Sequence, residues 1–353
     1  MTILFAILLF SFLIFIHELG HFVAAKLSNV QVNEFSMFMG PAIFKKQKGE
    51  TLYSIRCIPI GGYCAMEGED GNSDNPRAFG KAAWWKRLII LIAGSGMNLI
   101  AGVLIMFCLY IPVEEVAVPV IREFESYSTV NGADGLQVGD RIVELDGEKI
   151  YALSNLDMIF MLNPGEVHDV VVERNGEKLT LTDFTMQRHT VTDEQGNEQQ
   201  LFGMSFTTEK ADLSIKIQQA WYSCLDTVRN VRLSLQMLLS GQAGLRDMSG
   251  PVGIVKIMSD TAAASEEVLD AVMNMLYFGG FLAINLGIMN LLPIPALDGG
   301  RVVGLLITTA VEKITGKKID PKYEGYLHGA GMILLLALMA VIMFKDIFVI
   351  VKG

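Results

Sequence analysis

The feature that most constrains the fold is an apolar run over residues 1–25 that contains a single cluster of ionisable side chains. His17, Glu18 and His21 form this cluster in the pattern His-Glu-x-x-His. Ionisable groups within a membrane-spanning helix cost free energy, so they indicate a function. Because residues four apart share one face of a helix, both imidazoles can bind one zinc ion, and Glu18 can act as a general base beside it. The run therefore predicts a spanning helix with a metal site in its second half.

The same run has two other interpretations. His-Glu-x-x-His also occurs by chance in soluble helices, where it binds no metal. A secretory signal peptide is the second alternative, but no Lys or Arg precedes the apolar run, the run is too long, and no small-x-small cleavage site follows it. Ionisable residues packed this closely in a spanning helix are hard to explain by packing alone, which favours the metal site.

The composition predicts an integral membrane protein. Of the 353 residues, 51% are hydrophobic, and the mean hydropathy is +0.41. This length is enough for several spans and one soluble domain. The four cysteines, Cys57, Cys64, Cys108 and Cys224, show no paired metal-binding spacing and imply no disulfide framework.

The net charge of −10 is unevenly distributed along the chain. Residues 113–215 carry 20 acidic and 7 basic side chains, whereas residues 26–87 carry 9 basic and 6 acidic ones. Residues 301–328 are also basic, with 5 basic and 3 acidic side chains. Because positive charge is retained on the cytoplasmic side, we expect the basic segments there and the acidic domain across the membrane. The chain has no basic surface of the kind that binds nucleic acid.

Residues 30–66 alternate between apolar and polar side chains, as β-strands do. Residues 40–41 and 48–49 are predicted turns, and residues 58–63 are expected to end the strand run. We predict a small β-hairpin sheet directly after the first span. Its exposed edge could accept a substrate segment as an added strand. The alternative is an ordinary cytoplasmic loop.

The other spans follow from the apolar runs and their flanking charges. Asn98, in the second span, is interpreted either as an interhelical hydrogen-bonding residue or as a polar neighbour of the active site. The apolar run of the fourth span is expected from about Gly329 to Phe344, with Lys345 and Asp346 at its outer edge. In order, the predicted segments are the first span at 1–25, a cytoplasmic-side β region and loop at 26–87, the second span at 88–112, a β-rich domain at 113–210, an amphipathic helical connector at 211–268, the third span at 269–300, a cytoplasmic loop at 301–328 and the fourth span at 329–353.

A second cluster of polar residues lies at the end of the third span. Asp298 follows Pro293 and Pro295, which unwind the helix, and its carboxylate suits a third zinc ligand. With two imidazoles and one carboxylate, a fourth position stays open for water, as a catalytic site requires. Asn285 and Asn290 are intramembrane amides, for which helix–helix bonding is the alternative interpretation.

Residues 133–150 resemble a PDZ domain of the kind found in bacterial proteases, although Asp134 interrupts the usual small pair. Such a domain would bind peptide ends or exclude large substrates. The alternative is a β-domain that binds nothing. Asn175-Gly176 lies between two alternating runs and favours a type I′ hairpin turn.

Taken together, the motifs resemble the site-2 proteases, which are intramembrane zinc metalloproteases, and in particular the bacterial branch that cleaves anti-sigma factors. The resemblance covers nearly the whole chain. The matching motifs are His17-Glu18-Leu19-Gly20-His21, Pro59-x-Gly61-Gly62-Tyr63, Gly94-Ser95-x-Met97-Asn98, the PDZ segment, Ser249-Gly250-Pro251-Val252-Gly253-Ile254, and Asn290-Leu291-Leu292-Pro293-x-Pro295-x-Leu297-Asp298-Gly299-Gly300. Unlike some members with two PDZ domains, this chain has one.

The resemblance implies a role for each matching residue. His17, His21 and Asp298 would be the zinc ligands, and Glu18 the catalytic base. Residues 30–66 would form a membrane re-entrant β-loop that pairs with an extended substrate. The residues that would hold the substrate backbone near the metal are Asn285, Asn290, Pro293 and Pro295. The implied fold is a polytopic α-helical membrane protein of about four transmembrane helices, with this re-entrant hairpin and one inserted extracytoplasmic PDZ-like domain.

The expected activity is zinc-dependent cleavage of single-pass transmembrane proteins within or near the bilayer, after another protease has trimmed them. Substrates like anti-sigma factors, or signal-peptide remnants, are expected, with the enzyme in the bacterial inner membrane. Two alternatives remain at this level. One is a non-catalytic membrane adaptor that binds partners through its PDZ domain. The other is a different membrane metallopeptidase with a helical Glu as third ligand, which the Asp298-Gly299 motif disfavours.

Overall fold

The structure is a computed structural model that describes residues 2–69, 71, 73–132, 134–163, 165–192, 198–241, 244, 248–265, 267–316 and 321–352. It divides into two compact units. The first, the membrane unit, comprises Met1–Cys108 and Thr227–Gly353, and the second, the soluble unit, comprises Leu109–Asp226.

Helices dominate the membrane unit, and strands dominate the soluble unit. The helices are α1 (Thr2–Leu27), α2 (Trp84–Tyr110), α3 (Ser154–Leu162), α4 (Leu213–Ser240), α5 (Pro251–Ala264), α6 (Val268–Asn290), α7 (Asp298–Thr315) and α8 (Pro321–Lys352). The strands are β1 (Val32–Lys48), β2 (Thr51–Met66), β3 (Glu115–Phe124), β4 (Arg141–Leu145), β5 (Glu148–Lys149), β6 (Val167–Arg174), β7 (Glu177–Thr185), β8 (His189–Thr192), β9 (Glu198–Leu201) and β10 (Met204–Lys210).

Within the described residues, four helical stretches are long and apolar enough to cross a membrane. They are Ile3–Leu27, Trp84–Tyr110, Val268–Asn290 and Gly325–Lys352. At ~1.5 Å per residue, each is long enough to cross a hydrocarbon core of roughly 30 Å. The prediction of a multi-pass membrane protein is therefore confirmed.

Several predicted boundaries are wrong. The segment 301–328 is not a loop, since α7 continues to Thr315. The second span begins at Trp84 instead of residue 88. One local feature agrees with the prediction: the helix is interrupted at the two prolines, since α6 ends at Asn290 and α7 begins at Asp298 after a short irregular turn. The connector at 211–268 is helical as predicted and contains two helices, α4 and α5.

The fourth span does not end at Phe344, because α8 continues to Lys352. Asp346 is only 4% exposed. Its Oδ2 accepts backbone N–H bonds from Gly250 and Gly253, each at 2.9 Å. Asp346 therefore caps the first turn of α5, whose backbone amides have no acceptor within the helix itself.

The predicted β-hairpin is present, but its strands pair in an unexpected way. The central part of β1 pairs on both sides with β2: Phe35 lies opposite both Tyr53 and Cys64. The hairpin is thus locally three-stranded, and residues 61–66 form one outer edge. The predicted turn at residues 40–41 is wrong, since Gly40 lies inside β1 with a φ of 86°. The predicted end at residues 58–63 is also wrong, because β2 continues to Met66.

Aromatic packing and one ionic cluster fix the hairpin against α1. The ring of Phe35 lies 5.0 Å from that of Phe22 and 5.9 Å from that of Phe15. At the hairpin turn, Glu50 accepts hydrogen bonds from Arg77 and from Lys26 at the end of α1. These bonds lower the pKa of Glu50 to about 2. The hairpin is therefore held at a defined position beside the metal helix.

The soluble unit is built on a six-stranded sheet with the order β10-β3-β4-β6-β7, to which β5 adds through β4. Its core contains Ile142, Leu145, Val170 and Val172 and packs against α3 residues such as Phe160. The I′-type turn prediction agrees with the positive φ angles of Asn175 (53°) and Gly176 (83°).

Just before β4, Asp140 is a structural anchor. It is fully buried, and its two carboxylate oxygens accept hydrogen bonds from Arg174, both at 2.7 Å. The backbone N–H of Gln137 also donates to it at 2.8 Å. Such paired geometry compensates for burying the charge.

Candidate metal centre

Three side chains that are far apart in sequence meet in the membrane unit. His17 Nε2 lies 3.1 Å from Asp298 Oδ2, and His21 Nε2 lies 3.3 Å from the same oxygen. The two Nε2 atoms are 3.2 Å apart, with their rings nearly perpendicular. Within the described residues, this is the group of His, Cys, Asp and Glu side chains that could hold a metal ion.

The donor set and its spacing fit a tetrahedral zinc ion. Ligand atoms at ~2.0–2.2 Å from one tetrahedral ion lie roughly 3.3–3.5 Å from each other. The three separations of 3.1–3.3 Å are close to this. Asp298 Oδ2 is also buried without a conventional hydrogen bond to the described residues. Two nitrogen atoms and one oxygen atom converge on one point, and a ligand position remains for water.

Helix α2 orients the second histidine. His21 Nδ1 lies 2.8 Å from the backbone oxygen of Ile90. A carbonyl only accepts hydrogen bonds, so the proton is on Nδ1 and the lone pair of Nε2 faces the cluster. This approach is possible because Gly20 of α1 and Gly94 of α2 lie at the contact. A Cβ atom on Gly20 would overlap Ala93 O, and one on Gly94 would overlap the His21 ring.

A tight turn between α6 and α7 places Asp298. Asp298 is the first residue of α7, and Ala296 just before it has a φ of 82°. The backbone N–H of Ala296 donates to Nδ1 of His328 on α8 at 3.0 Å. Gly299 has no room for a side chain, since a Cβ atom would overlap the Leu291 carbonyl. The residues around Asp298 therefore fix the turn that places its carboxylate, with Ala296 in the left-handed region.

Glu18 lies between the cluster and the edge of the hairpin. Its carboxylate interacts with both histidines and with the backbone N–H of Cys64 in β2. A Cβ atom on Gly62 would lie 3.3 Å from Glu18 Cγ, which shows how closely the strand approaches. Burial raises the pKa of the Cys64 thiol, so this sulfur stays protonated and is a poor metal ligand.

The other predicted site residues are placed as follows. Asn285 lies in α6 and Asn290 at its end, both half-buried. Among the described residues, neither side-chain amide has a hydrogen-bond partner. Pro293 is exposed and Pro295 half-buried in the turn before Asp298. Both prolines therefore lie in the turn that positions the Asp298 carboxylate.

Sequence reasoning missed three groups that shape the centre. They are the Ile90 carbonyl, the His328 imidazole and the ion pair between Arg301 of α7 and Glu69 after the hairpin. The Ile90 contact is a backbone interaction and leaves no signal in a single sequence. His328 did carry a signal, because a histidine in an apolar span indicates a specific partner.

The close approach of Gly94 to His21 gives a sharp prediction. We expect Gly94→Ala to displace the imidazole and reduce zinc binding by at least tenfold, because supporting contacts of a metal ligand typically contribute ~10–100-fold in affinity. Gly96→Ala is the matched control, since a Cβ atom there meets no atom within 4 Å. The zinc content of both purified variants tests this. Equal zinc content in the two variants would contradict the idea that the Gly94 contact positions the His21 ring.

Comparison with known proteins agrees with the fold and the site. Residues 5–338 match the model of peptidase family M50. A predicted zinc metalloprotease of Clostridium acetobutylicum is 37% identical over 349 residues, which cover 98% of this chain and 97% of that protein. The regulator of sigma-W protease RasP of Bacillus subtilis is 30% identical over 431 aligned positions, covering 98% of each.

The fold has several membrane-spanning helices, and two histidines and an aspartate converge between them. This combination is typical of a membrane-embedded metalloprotein. The family match is more specific: the chain belongs to peptidase family M50. Members of this family are zinc-dependent, so the protein is an intramembrane zinc metalloendopeptidase. The adaptor alternative is therefore set aside.

Proposed function

We propose that His17, His21 and Asp298 hold the catalytic zinc ion and that Glu18 is the general base. The observation that carries this assignment is the meeting of the three ligand atoms at 3.1–3.3 Å beside the Glu18 carboxylate. When bound, zinc acts as a Lewis acid that polarises the scissile carbonyl and lowers the pKa of water.

Glu18 moves the proton in this scheme. Its carboxylate removes a proton from the attacking water as the new C–O bond forms at the scissile carbonyl carbon. The same proton then passes to the amide nitrogen as the C–N bond breaks. The second proton of the water stays on the new carboxyl group, which ionises when it reaches solvent. The other product is a new amine, and Glu18 returns to its ionised form.

The substrate backbone is presented by the edge of the hairpin. A transmembrane helix satisfies its peptide groups internally, so it must unwind before a protease can cut it. Residues 61–66 of β2 form an edge next to Glu18, and adding an extended strand there replaces the lost hydrogen bonds. The amides of Asn285 and Asn290 and the turn containing Pro293 and Pro295 hold the backbone from the other side.

The far part of the hairpin carries exposed apolar side chains, which supports its insertion into the membrane as a re-entrant element. They are Met39, Ile43, Phe44, Ile55 and Ile58, which are 43–73% exposed. In water, an apolar patch of this kind would be unfavourable, whereas hydrocarbon accommodates it. Pairing between β1 and β2 satisfies many of its backbone groups within the sheet, which lowers the cost of placing them at membrane depth.

We infer that the substrates are single-pass membrane proteins, including proteins like anti-sigma factors. Support comes from the similarity to a sigma-W-regulating protease and from the strand edge beside Glu18. The acidic soluble unit lies on the extracytoplasmic face of the bacterial inner membrane, because the flanking segments are basic. As a PDZ-type domain, it selects which trimmed substrates reach the membrane unit.

The strand-addition proposal predicts that Gly62→Ala lowers the cleavage rate of a model single-pass substrate roughly tenfold, since small misplacements of catalytic groups have large effects. The added Cβ atom would lie 3.1 Å from Ser36 O and 3.3 Å from Glu18 Cγ, so one of them must shift. Zinc content should stay at the wild-type level. Gly71→Ala is the control, since its Cβ atom meets nothing within 4 Å. Wild-type cleavage by Gly62→Ala would contradict the proposal.

The selection role of the soluble unit is tested by removing it. Glu115 and Lys210 pair at the start and end of this unit, so a short Gly-Ser linker can replace residues 116–209 without stretching the chain. We expect full zinc content and faster cleavage of untrimmed substrates. The test measures cleavage of long and trimmed versions of one substrate. An unchanged preference for the trimmed version would contradict a selecting role.

A further inference from the structure

Asn98 of α2 is the polar side chain next to the first proposed metal ligand. It is 1% exposed, and its Nδ2 lies 3.4 Å from Nδ1 of His17. Its Oδ1 is buried and has no hydrogen-bond partner among the described residues. A buried carbonyl oxygen without a donor is costly, so this amide requires an explanation beyond packing.

The two histidines differ in what holds their Nδ1 atoms. His21 Nδ1 faces the Ile90 carbonyl, which fixes the proton on Nδ1 and leaves Nε2 free to bind a cation. His17 Nδ1 faces the side-chain amide nitrogen of Asn98 instead of a backbone carbonyl oxygen. With the amide nitrogen towards the ring, Nδ1 must accept, and the proton lies on Nε2. That tautomer suits the 3.1 Å contact with Asp298 Oδ2, but it cannot bind a metal through Nε2.

Rotation of the Asn98 amide by about 180° exchanges its oxygen and nitrogen, which have nearly the same shape. Oδ1 then faces His17 Nδ1 and accepts its proton, so the lone pair of Nε2 points to Asp298 and His21. The same rotation gives the buried oxygen a donor. A side-chain amide can hydrogen-bond to Nδ1 of either His17 tautomer, because it has both a donor and an acceptor. A carbonyl or a carboxylate only accepts, so it bonds to the tautomer with the proton on Nδ1.

We propose that Asn98 is a positioning residue that sets the tautomer of His17: its amide oxygen holds the Nδ1 proton and thereby turns His17 Nε2 into a metal ligand. This inference rests on the proposed ligand set. Its physical basis is that metal-binding histidines usually donate their second N–H to an acceptor, which fixes the ring and increases ligand basicity.

The test is the zinc affinity of the purified full-length protein, measured by competition with a chromogenic chelator. We expect Asn98→Leu to weaken zinc binding by roughly 10–100-fold, the usual effect of losing such a partner. Asn98→Asp keeps an acceptor at the same position, so we expect zinc binding at least as tight as in the wild type. Ser95→Ala changes another buried polar residue of α2 and is expected to leave the affinity unchanged.

A second readout follows the proton directly. In zinc-loaded protein with 15N-labelled histidine, we expect a proton-bearing Nδ1 for His17 in the wild type and in Asn98→Asp. Unchanged zinc affinity in Asn98→Leu, with wild-type thermal stability, would overturn the proposal. An equal loss in Asn98→Asp and Asn98→Leu would also overturn it, because an acceptor would then have no effect. His17→Ala distinguishes a failure of the Asn98 proposal from a failure of the proposed ligand set. Wild-type zinc affinity in that variant would contradict the ligand set itself.

Discussion

Glu18→Gln is expected to keep zinc at the wild-type level and to lose cleavage of a single-pass substrate by roughly 10²–10⁴-fold, the range that general base catalysis contributes. The change keeps the side-chain shape but removes the ability to take a proton. Glu18 is not one of the three converging ligand atoms, so the metal stays bound. Its carboxylate nevertheless interacts with His17, His21 and Asp298, which supports its proposed role as the base.

The measurement combines zinc content with the initial cleavage rate in detergent or nanodiscs. Glu67→Gln is a suitable control, because that carboxylate bonds to Ser73 and Asn33, outside the metal centre. We expect the control to cleave at the wild-type rate. Full cleavage by zinc-loaded Glu18→Gln would refute the role of Glu18 as the base. The inactive variant would also retain uncut substrates, which can then be identified.

The second large effect is expected for Asp298→Asn. Loss of an outer partner of a metal ligand reduces affinity by ~10–100-fold, so loss of the charged ligand itself should reduce it by at least that much. An amide oxygen is neutral and does not compensate for the charge of the cation. The substitution preserves the size of the side chain, and Asn is also tolerated at the start of a helix. The polypeptide should therefore fold while it loses its zinc.

Zinc retention after dialysis against a chelator tests this expectation. Asp270→Asn is the matched control, because Asp270 is an exposed carboxylate in the first turn of α6, away from the cluster. We expect stoichiometric zinc in the control and a loss of metal and activity in Asp298→Asn. Zinc that remains stoichiometric in Asp298→Asn would remove Asp298 from the ligand set.

The local parts of the site could be predicted from the sequence because they depend on spacing. His17 and His21 lie four residues apart, and helix geometry alone brings them to one face. Small residues such as Gly94 allow close helix approach, and the structure has that contact at the His21 ring. Asp298 lies in a different span, so helix spacing could not connect it with the histidines. Its assignment rested on its position after Pro293 and Pro295 and on the family resemblance.

The errors have two physical causes, which are contacts between residues distant in sequence and local conformational signals that were neglected. Asp346 looked like an interfacial residue after an apolar run, but its partners are amides at residues 250 and 253. The prediction of α7 as a loop followed its charges and neglected its helical propensity. The hairpin was predicted as two simple strands, whereas positive φ angles at Gly40 and Gly61 allow β2 to fold around both sides of β1.

X-ray absorption at the zinc edge measures the ligands of the metal directly in the purified, zinc-loaded protein. We predict a four-coordinate ion with two imidazoles and oxygen donors, and no sulfur, even though Cys64 lies close to Glu18. The spectrum should lose one imidazole in His21→Ala and one oxygen in any metal retained by Asp298→Ala. A sulfur ligand, or a spectrum that is identical in the wild type and both variants, would contradict the proposed centre.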